Sequence, residues 1–294
     1  MVEKIQIMTD SGSDIPKAFE KKHNIKILSF PISVGDRGFF DRDMTDAEYY
    51  NLILDSVKSE DFPKTAQITV MRFIESYEEF YKAGITDLIY TSIADLGSAT
   101  FANATKARDE FYEDNPEALG VFRIHIIDSG NYTGVYGWPV IQAAVKSEKG
   151  ASAADIIDYI TDWCASAEVN FGCYTLDFVK RSGRVSTAAA FVGEMLGLRP
   201  VIRIKQAVST TTAKVRGDRA VVPKVVDITA ERIIPGTPYV VIAGNDKAAE
   251  DDMIKNITKR LGYPPEMTFY VGAAVAANVG PCVVGTIFKA RPGL

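Results

Sequence analysis

The sequence predicts an α/β protein of two domains, with a Rossmann-like parallel sheet in residues 1–167 and a further α/β domain in residues 168–294. The chain has 294 residues, more than a single domain usually contains. In its first half, short apolar runs alternate with amphipathic segments of about 10–15 residues, the pattern of parallel strands joined by helices. After Glu168 this pattern gives way to longer β-rich runs, and no Gly/Ser-rich linker separates the halves.

The strands of the first half are predicted where apolar runs end in polar residues, at 4–11, 26–34, 87–92 and 121–129. The helices between them are predicted within the segments 15–24, 39–60, 64–84, 99–114, 132–150 and 151–167. Thr45 precedes Glu48 at capping-box spacing, which predicts a helix start. Pro31 favours an edge or bend in its strand. Pro139 is expected to kink its helix or to mark its start.

The second half is predicted to contain a strand near Asn170, a turn at Gly183-Arg184 and then a helix of small residues. Two β-rich runs that indicate a hairpin follow. The remaining elements are a helix at 222–233, a strand at 237–244, a helix at 247–262, a strand at 267–280 and a short tail.

Charge and composition exclude several classes of protein. The net charge of −5 comes from 38 acidic and 33 basic residues spread along the chain, which disfavours nucleic-acid binding. The first residues form no basic-then-apolar signal, and no apolar run approaches the ~20 residues needed to span a bilayer. These features predict a soluble, cytoplasmic protein.

The cysteines and histidines do not form a pattern typical of catalysis or metal binding. The three cysteines lack CxxC spacing, so we expect ordinary packing residues in a reducing compartment. His23 and His125 are far apart in sequence, and no HExxH pair is present. Neither the GxGxxG nor the GxxxxGK[ST] nucleotide motif occurs.

Hydroxyl-bearing residues recur where the predicted parallel strands end, which is the edge where α/β sheets bind ligands. They suit an uncharged or carboxylate head group better than a metal, although each one alone is also explained as a helix cap or turn residue. The polar residues at these ends are Thr9, Asp10, Ser11, Ser13, Thr65, Gln67, Thr91, Ser92, Ser98, Asp128, Ser129, Asn131 and Thr133.

Large apolar residues lie in the neighbouring loops and helix starts. They are either core residues or the lining of an apolar tunnel beside a polar head site. This group consists of Phe30, Phe39, Phe40, Phe101, Tyr132, Tyr136, Trp138, Phe191, Met195 and Leu196.

A series of segments resembles, in order along almost the whole chain, the motifs of the DegV family of fatty-acid-binding (FakB-like) carriers. The segments are TDSGSDIP (9–16), FPISV (30–34), FDRDMTDAEYYN (40–51), KTAQIT (64–69), TSIADLGSATFANA (91–104), IHIIDSGNYTGVYG (124–137), TLDFVKRSGRVS (175–186), LGLRPVIRI (196–204) and ANVGPCVVG (277–285).

This resemblance implies a DegV-like fold that holds one long-chain fatty acid between its two domains, with the carboxylate bound by Thr65 and Ser98. The other candidate ligand-binding residues at motif positions are Phe30, Ser129, Arg184, Asn278 and Gly280. Family carriers present the acid to an ATP-dependent fatty-acid kinase subunit, which forms acyl-phosphate for phospholipid synthesis. The resemblance therefore implies a carrier that is not an enzyme, has no cofactor besides its bound lipid, and is compatible with transient membrane contact.

The chain departs from the family motifs at several positions. Asn278 stands where the family has a histidine, so the contact there passes to an amide that does not titrate near neutrality. Ala66 and Ala99 replace a serine and a glycine of the head-group motifs, and one extra residue, Gly97 or a neighbour, precedes Ser98. Ser182 replaces the first glycine of a Gly-Gly-Arg motif.

Two consequences of these departures bear on function. Asp218 interrupts the basic stretch that the family uses for partner docking, so the sequence leaves open whether a kinase partner is retained. An alternative hypothesis is an enzyme, or a protein resembling a kinase subunit, that acts on a small polar substrate through Asp10 and Asp128. That activity would require a metal or a nucleotide.

Overall fold

The protein is described from a computed structural model, which covers residues 3–59, 61–185 and 197–293. The strands of this part of the chain are β1 (Ile5–Asp10), β2 (Lys26–Leu28), β3 (Pro31–Val34), β4 (Arg37–Phe40), β5 (Lys64–Thr65), β6 (Asp87–Ser92), β7 (Arg123–Asp128), β8 (Ala167–Cys173), β9 (Leu198–Lys205), β10 (Val208–Arg216), β11 (Tyr239–Ala243), β12 (Thr268–Tyr270) and β13 (Val283–Lys289). Its helices are α1 (Lys17–Lys22), α2 (Asp46–Ser59), α3 (Val70–Lys82), α4 (Thr100–Asp114), α5 (Gly134–Glu148), α6 (Ala153–Ser166), α7 (Asp177–Ser182), α8 (Val221–Arg232), α9 (Lys247–Leu261) and α10 (Ala273–Val279).

The first half forms the predicted parallel sheet, in the order β2-β1-β6-β7. β1 and β6 are buried over nearly their whole length, which agrees with a sheet covered on both faces. Thr9 pairs with Thr91, and Ser92 pairs with Asp128, so the polar ends of these strands meet at one edge. The predicted α/β fold class and Rossmann-like layer are confirmed.

The single strand predicted at 26–34 is wrong, because the chain changes sheets within it. β2 ends at Leu28, and β3 begins at Pro31 in a separate small sheet of order β4-β3-β5. Proline lacks an N–H and is tolerated at the first position of a strand, so Pro31 marks the break. The antiparallel pairing of β3 with β5 aligns Ile32 with Thr65.

The capping box before α2 is confirmed. The Thr45 backbone N–H donates to Glu48 Oε2 at 2.9 Å, and the Glu48 N–H donates to Thr45 Oγ1 at 3.3 Å. The reciprocal pair satisfies two backbone donors that a helix start otherwise leaves without partners.

Helix α5 continues through Pro139 and begins at Gly134, so the proline does not mark its start. A proline in a helix has no N–H to donate to the carbonyl four residues earlier. For Pro139, that carbonyl belongs to Val135. The indole N–H of Trp163 donates to that carbonyl oxygen at 2.9 Å. The buried backbone group is thereby satisfied from α6.

Helix α5 packs closely against both halves of the molecule, and two glycines permit this approach. A Cβ on Gly137 would lie 2.2 Å from the backbone oxygen of Ser13, and one on Gly134 would lie 2.7 Å from the Phe269 ring. The same helix contacts β1 on one side and β8, β11 and β13 on the other. It therefore forms a wedge between the two sheets.

The second half forms a sheet of order β10-β9-β8-β13-β11-β12, in which β11 and β12 are parallel and the other neighbours are antiparallel. The predicted hairpin is β9–β10. Its turn residues Gln206 and Ala207 both have positive φ, at 49° and 59°. The Gln206 side-chain amide donates to the Cys164 carbonyl at 2.9 Å, which ties the hairpin tip to α6.

The predictions for the C-terminal residues were partly wrong. The strand predicted at 267–280 is the short β12 followed by helix α10, because its alanine-rich second part favours a helix. The expected tail contains β13, which lies between β8 and β11 inside the sheet. The small-residue helix predicted after Gly183-Arg184 lies outside the described residues.

One buried apolar cluster spans both halves, and a second belongs to the second half alone. A continuous buried cluster includes Ile7 and Tyr136 of the first half together with Phe171 and Ile287 of the second. β8 begins at Ala167, directly after α6, which is where the second sheet starts. The division into domains at residues 167 and 168 stays a prediction.

We predict that Trp163→Phe lowers the free energy of unfolding by about 1–3 kcal/mol, because it leaves the Val135 carbonyl without a donor. Pro139→Ala supplies a helical N–H to the same carbonyl. In the Pro139→Ala background, the Trp163→Phe substitution should therefore cost less. Urea denaturation of the two single variants and the double variant measures this coupling. Strictly additive effects would contradict the role assigned to the indole.

Candidate functional site

A cavity of about 860 Å³ lies between the polar edge of the parallel sheet and the second sheet. Its size falls within the roughly 300–1,000 Å³ of small-molecule sites. Most of its lining in the second half is apolar and includes Val169, Phe171, Ile204, Ile242, Val271 and Val283. Such a lining suits a ligand with a large apolar part.

The structure brings Phe30, Thr65, Ser98, Arg184 and Asn278 to the wall of this cavity. They come from separate parts of the chain, and the fold brings them to the lining of the same cavity. The arrangement joins hydroxyl, amide and guanidinium groups with apolar walls.

Phe30 and Thr65 are positioned by the small sheet. The Phe30 backbone N–H donates to Ser11 Oγ at 3.0 Å, and its ring is buried. Thr65 pairs with Ile32 of β3, and the following N–H of Ala66 donates to the Pro31 carbonyl at 3.0 Å. These bonds hold the half-buried Thr65 beside the cavity.

Ser98 lies in the turn just before α4, where two hydroxyls and a backbone amide form a chain of hydrogen bonds. The Ile68 N–H donates to Thr100 Oγ1 at 3.3 Å, and Thr100 Oγ1 lies 2.8 Å from Ser98 Oγ. The Thr100 N–H also approaches Ser98 Oγ, at 3.4 Å. With Thr100 as the donor of the hydroxyl pair, the Ser98 O–H remains free to donate into the cavity.

Arg184 and Asn278 enter from the second half. Arg184 follows Gly183, whose left-handed backbone ends α7, and its Nη1 donates to the Ser182 carbonyl at 2.8 Å. Its side chain is exposed. Asn278 lies on α10, and its amide donates to the Ala274 carbonyl at 2.9 Å.

The other two predicted site residues are not among the described residues that line the cavity. Ser129 is buried in a turn, where its Oγ accepts from the Asn131 N–H at 3.1 Å. Gly280 ends α10 with φ at 84°, and a Cβ there would lie 2.8 Å from the Phe178 ring. Both positions shape segments next to the site.

Among the apolar candidates, Phe30 and Tyr132 line the cavity. Tyr136 is instead fully buried, and its hydroxyl donates to Asp10 at 2.6 Å. Phe191, Met195 and Leu196 lie outside the described residues. Sequence reasoning missed Leu96 and Val208, which line the cavity and are 79% and 60% exposed. Leu96 could have been found from the sequence, because it is an apolar residue within a polar loop.

The two carboxylates of the enzyme hypothesis have structural hydrogen bonds and do not belong to the described cavity lining. Asp10 accepts from the hydroxyls of Tyr90 and Tyr136 and from the backbone N–H groups of Gly12 and Ile93. Burial raises the pKa of Asp10 to about 6 against these bonds. Asp128 Oδ1 accepts from the Asp95 and Gly130 N–H groups.

The described residues provide neither a cluster of metal ligands nor, at Cys164 and Cys173, a reactive thiolate. Within the described ranges, no three His, Cys, Asp or Glu side chains group as a metal site. Burial raises the pKa values of Cys164 and Cys173 to about 12, so both remain thiols.

Among the residues that the structure describes, none of the helices has the length and apolar character to cross a bilayer.

Helix α10, which carries Asn278, is held at its start by carboxylates of the first half. The Gly272 N–H donates to Asp14 Oδ1 at 2.9 Å. Burial raises the pKa of Asp41 to about 6, although Ser11, Arg42 and the backbone amides of Ala273 and Ala274 act in the opposite direction. The orientation of α10 thus depends on contacts between the halves.

Comparison with known proteins gives a match over nearly the whole chain. Residues 4–291 match the family model described as an uncharacterised protein of the DegV family. A DegV domain-containing protein of Clostridium perfringens is 26% identical over 293 residues, covering 97% of this chain and 96% of the relative.

Solved structures show the same fold. A protein of Eubacterium ventriosum described as binding stearic acid superposes with a TM-score of 0.85 at 24% identity, covering 98% of each chain. A DegV family protein of Thermus thermophilus described as binding fatty acid has a TM-score of 0.84 at 23% identity, over 98% of this chain and 100% of the other. The predicted DegV-like α/β fold, with a Rossmann-like parallel sheet in its N-terminal half and a further α/β part after it, is confirmed.

We predict that Asp41 contributes stability that is lost as pH rises. Its pKa is raised from 3.8 to about 6, so the folded state binds more protons between those values. Asp41→Asn mimics the neutral carboxyl and removes this titration. The unfolding free energy of the wild type relative to Asp41→Asn should fall by about 2–3 kcal/mol between pH 4 and 6.

Urea denaturation at fixed pH steps measures this difference, and a constant difference across that range would contradict the prediction. Asp87→Asn provides a control of opposite sign. Burial alone would raise the Asp87 pKa, but hydrogen bonds from Arg123, His125 and Thr86 lower it to about 2. The stability that Asp87 contributes is therefore lost as pH falls below about 4.

Proposed function

The chain belongs to the DegV family, and from that premise we propose that it is a carrier that binds one long-chain fatty acid in the cavity. The observation that carries this proposal is that Thr65 and Ser98 both line a cavity in which apolar residues make up most of the remaining lining. A fatty-acid ligand, as described for the Eubacterium and Thermus proteins, fits both parts.

The apolar walls supply most of the affinity in this proposal. Each buried methylene contributes about 0.8 kcal/mol. The acyl chain lies against Phe30, Phe171 and the neighbouring valines and isoleucines, which exclude water from it. The acyl chain loses conformational, translational and rotational entropy when it binds, and this loss offsets part of the gain.

The polar wall binds the head group. An unpaired buried carboxylate is costly, so it requires donors. We assign this role to the hydroxyls of Thr65 and Ser98, with the Asn278 amide and the exposed Arg184 beside them. Ser129 and Gly280 act indirectly, because they fix the turn after β7 and the end of α10.

Hydroxyl donors leave the carboxylate nucleophilic, and this supports a second step outside the carrier. We propose that a fatty-acid kinase subunit supplies the nucleotide, that the bound carboxylate oxygen attacks its γ-phosphorus, and that ADP leaves as acyl-phosphate forms. Ala66, Gln67 and Ala99 border the head site and are exposed, so this end of the cavity is accessible to a partner.

The surface after the β9–β10 hairpin is our candidate for docking that kinase. Asp218 forms an ion pair with Arg199, Nε to Oδ1, at 2.6 Å. Its charge is therefore matched within the chain, while Arg216 and Arg219 remain exposed. Arg216 and Arg219 thereby offer two exposed positive charges to an acidic partner.

We predict that the purified protein contains a fatty acid or, after delipidation, binds stearate. Native mass spectrometry and calorimetric titration measure this. Ser98→Ala should weaken stearate binding by about 5–100-fold, and Thr100→Val by less, because Thr100 acts through Ser98. Asn278→His should retain binding.

A thermal-shift measurement added to these experiments defines the outcome that would contradict the carrier function. Absence of a copurified acyl chain together with no thermal stabilisation by added fatty acid would overturn it. Stabilisation by nucleotide with magnesium, and not by lipid, would favour the enzyme hypothesis instead.

We predict that the stearate-loaded protein stimulates ADP release by a fatty-acid kinase subunit in the presence of ATP and magnesium. Arg216→Glu with Arg219→Glu should slow this release while leaving the stearate affinity unchanged, because the two arginines lie outside the cavity lining described above. ADP release that does not depend on the lipid, or that ignores both charge reversals, would contradict the docking proposal.

A further inference from the structure

Tyr132 is a polar group in the cavity that the head-group assignment has not used. It follows the turn after β7 and lines the cavity half-buried. Among the described residues its phenol oxygen has no hydrogen-bond partner, unlike Tyr136, whose hydroxyl is bound to Asp10. A partly buried phenol normally directs its hydroxyl to an acceptor.

The Tyr132 ring occupies the space next to Gly97, the residue before Ser98. A Cβ on Gly97 would lie 2.5 Å from the Tyr132 oxygen and 2.7 Å from the ring carbon Cε1. Gly97 does not have a positive φ, so its backbone conformation does not require glycine. The absence of a side chain at position 97 is instead explained by the ring.

This contact places the phenol near the proposed head group. Adjacent Cα atoms are about 3.8 Å apart, so the Tyr132 oxygen lies within about 8 Å of the Ser98 Cα. A carboxylate that accepts a hydrogen bond of about 2.7 Å at each oxygen can join hydroxyls that lie up to about 7 Å apart. Ser98 and Tyr132 line the same cavity, so a carboxylate placed between their hydroxyls can accept from both.

The electrostatic surroundings keep Tyr132 a donor. Burial raises its pKa, and the nearby Asp128 acts in the same direction, while Arg184 acts in the opposite one. The phenol stays protonated at physiological pH and can donate to an anion. The neighbouring Arg184 guanidinium favours an anion at the same place.

We propose that Tyr132 is a further head-group ligand of this protein, which donates a hydrogen bond to the fatty-acid carboxylate beside Ser98, and that Gly97 is glycine to admit its ring. The proposal rests on the carrier function proposed above. It makes Tyr132 a residue that distinguishes a fatty acid from an uncharged lipid with the same chain.

The test compares stearate with 1-octadecanol, which has the same chain length and no carboxylate, by calorimetric titration of the delipidated protein. Tyr132→Phe should weaken stearate binding by about tenfold, equivalent to about 1.4 kcal/mol, and leave octadecanol binding unchanged. Tyr159→Phe is the matched control, since it removes a half-buried phenol oxygen from α6, outside the described cavity lining. It should change neither affinity.

Gly97→Ala gives a second, independent measurement. The added methyl displaces the Tyr132 ring, so the preference for stearate over octadecanol should fall, and Tyr132→Phe should lower it no further in the Gly97→Ala background. If Tyr132→Phe binds stearate as tightly as the wild type, or loses both lipids equally, the Tyr132 assignment alone is overturned. If the wild type binds neither lipid, the carrier function and this assignment are both overturned.

Discussion

The close packing of α5 between the two sheets is the constraint on which the rest of the structure depends. Gly134 and Gly137 bring the helix against the Phe269 ring and the Ser13 backbone, at distances that do not admit a Cβ. The larger apolar cluster is consequently continuous across both halves, and the spacing of the two sheets is fixed. The cavity lies between the same sheets, so its dimensions follow from a helix that contributes little to its lining.

The proposed head-group chemistry depends on neutral donors in the wall of a mainly apolar cavity. Thr65 and Ser98 can satisfy a carboxylate without the strong pairing that a buried cation would impose. The exposed Arg184 adds a favourable field from the solvent side, where screening weakens it. This combination suits a site that must bind an anion firmly and still leave it reactive.

The sequence predicted the features that depend on local patterns, and it failed where distant segments decide the outcome. The parallel strands, the Thr45 capping box and the β9–β10 hairpin follow from periodicity and spacing. β13 was missed because its burial depends on neighbours from two other parts of the chain. The polar candidates Thr65 and Ser98 were visible as hydroxyls beside strands. The contact of Tyr132 with Gly97 was not, because it depends on how the turn after β7 folds over the turn before α4.

The bond from the Trp163 indole to α5 has an optical consequence. The protein contains two tryptophans, Trp138 on α5 and Trp163 on α6, and both are buried. Neither belongs to the described lining of the cavity. Tryptophan emission from this protein therefore originates in the packed pair of helices α5 and α6, and its wavelength and intensity report how tightly the two helices are joined.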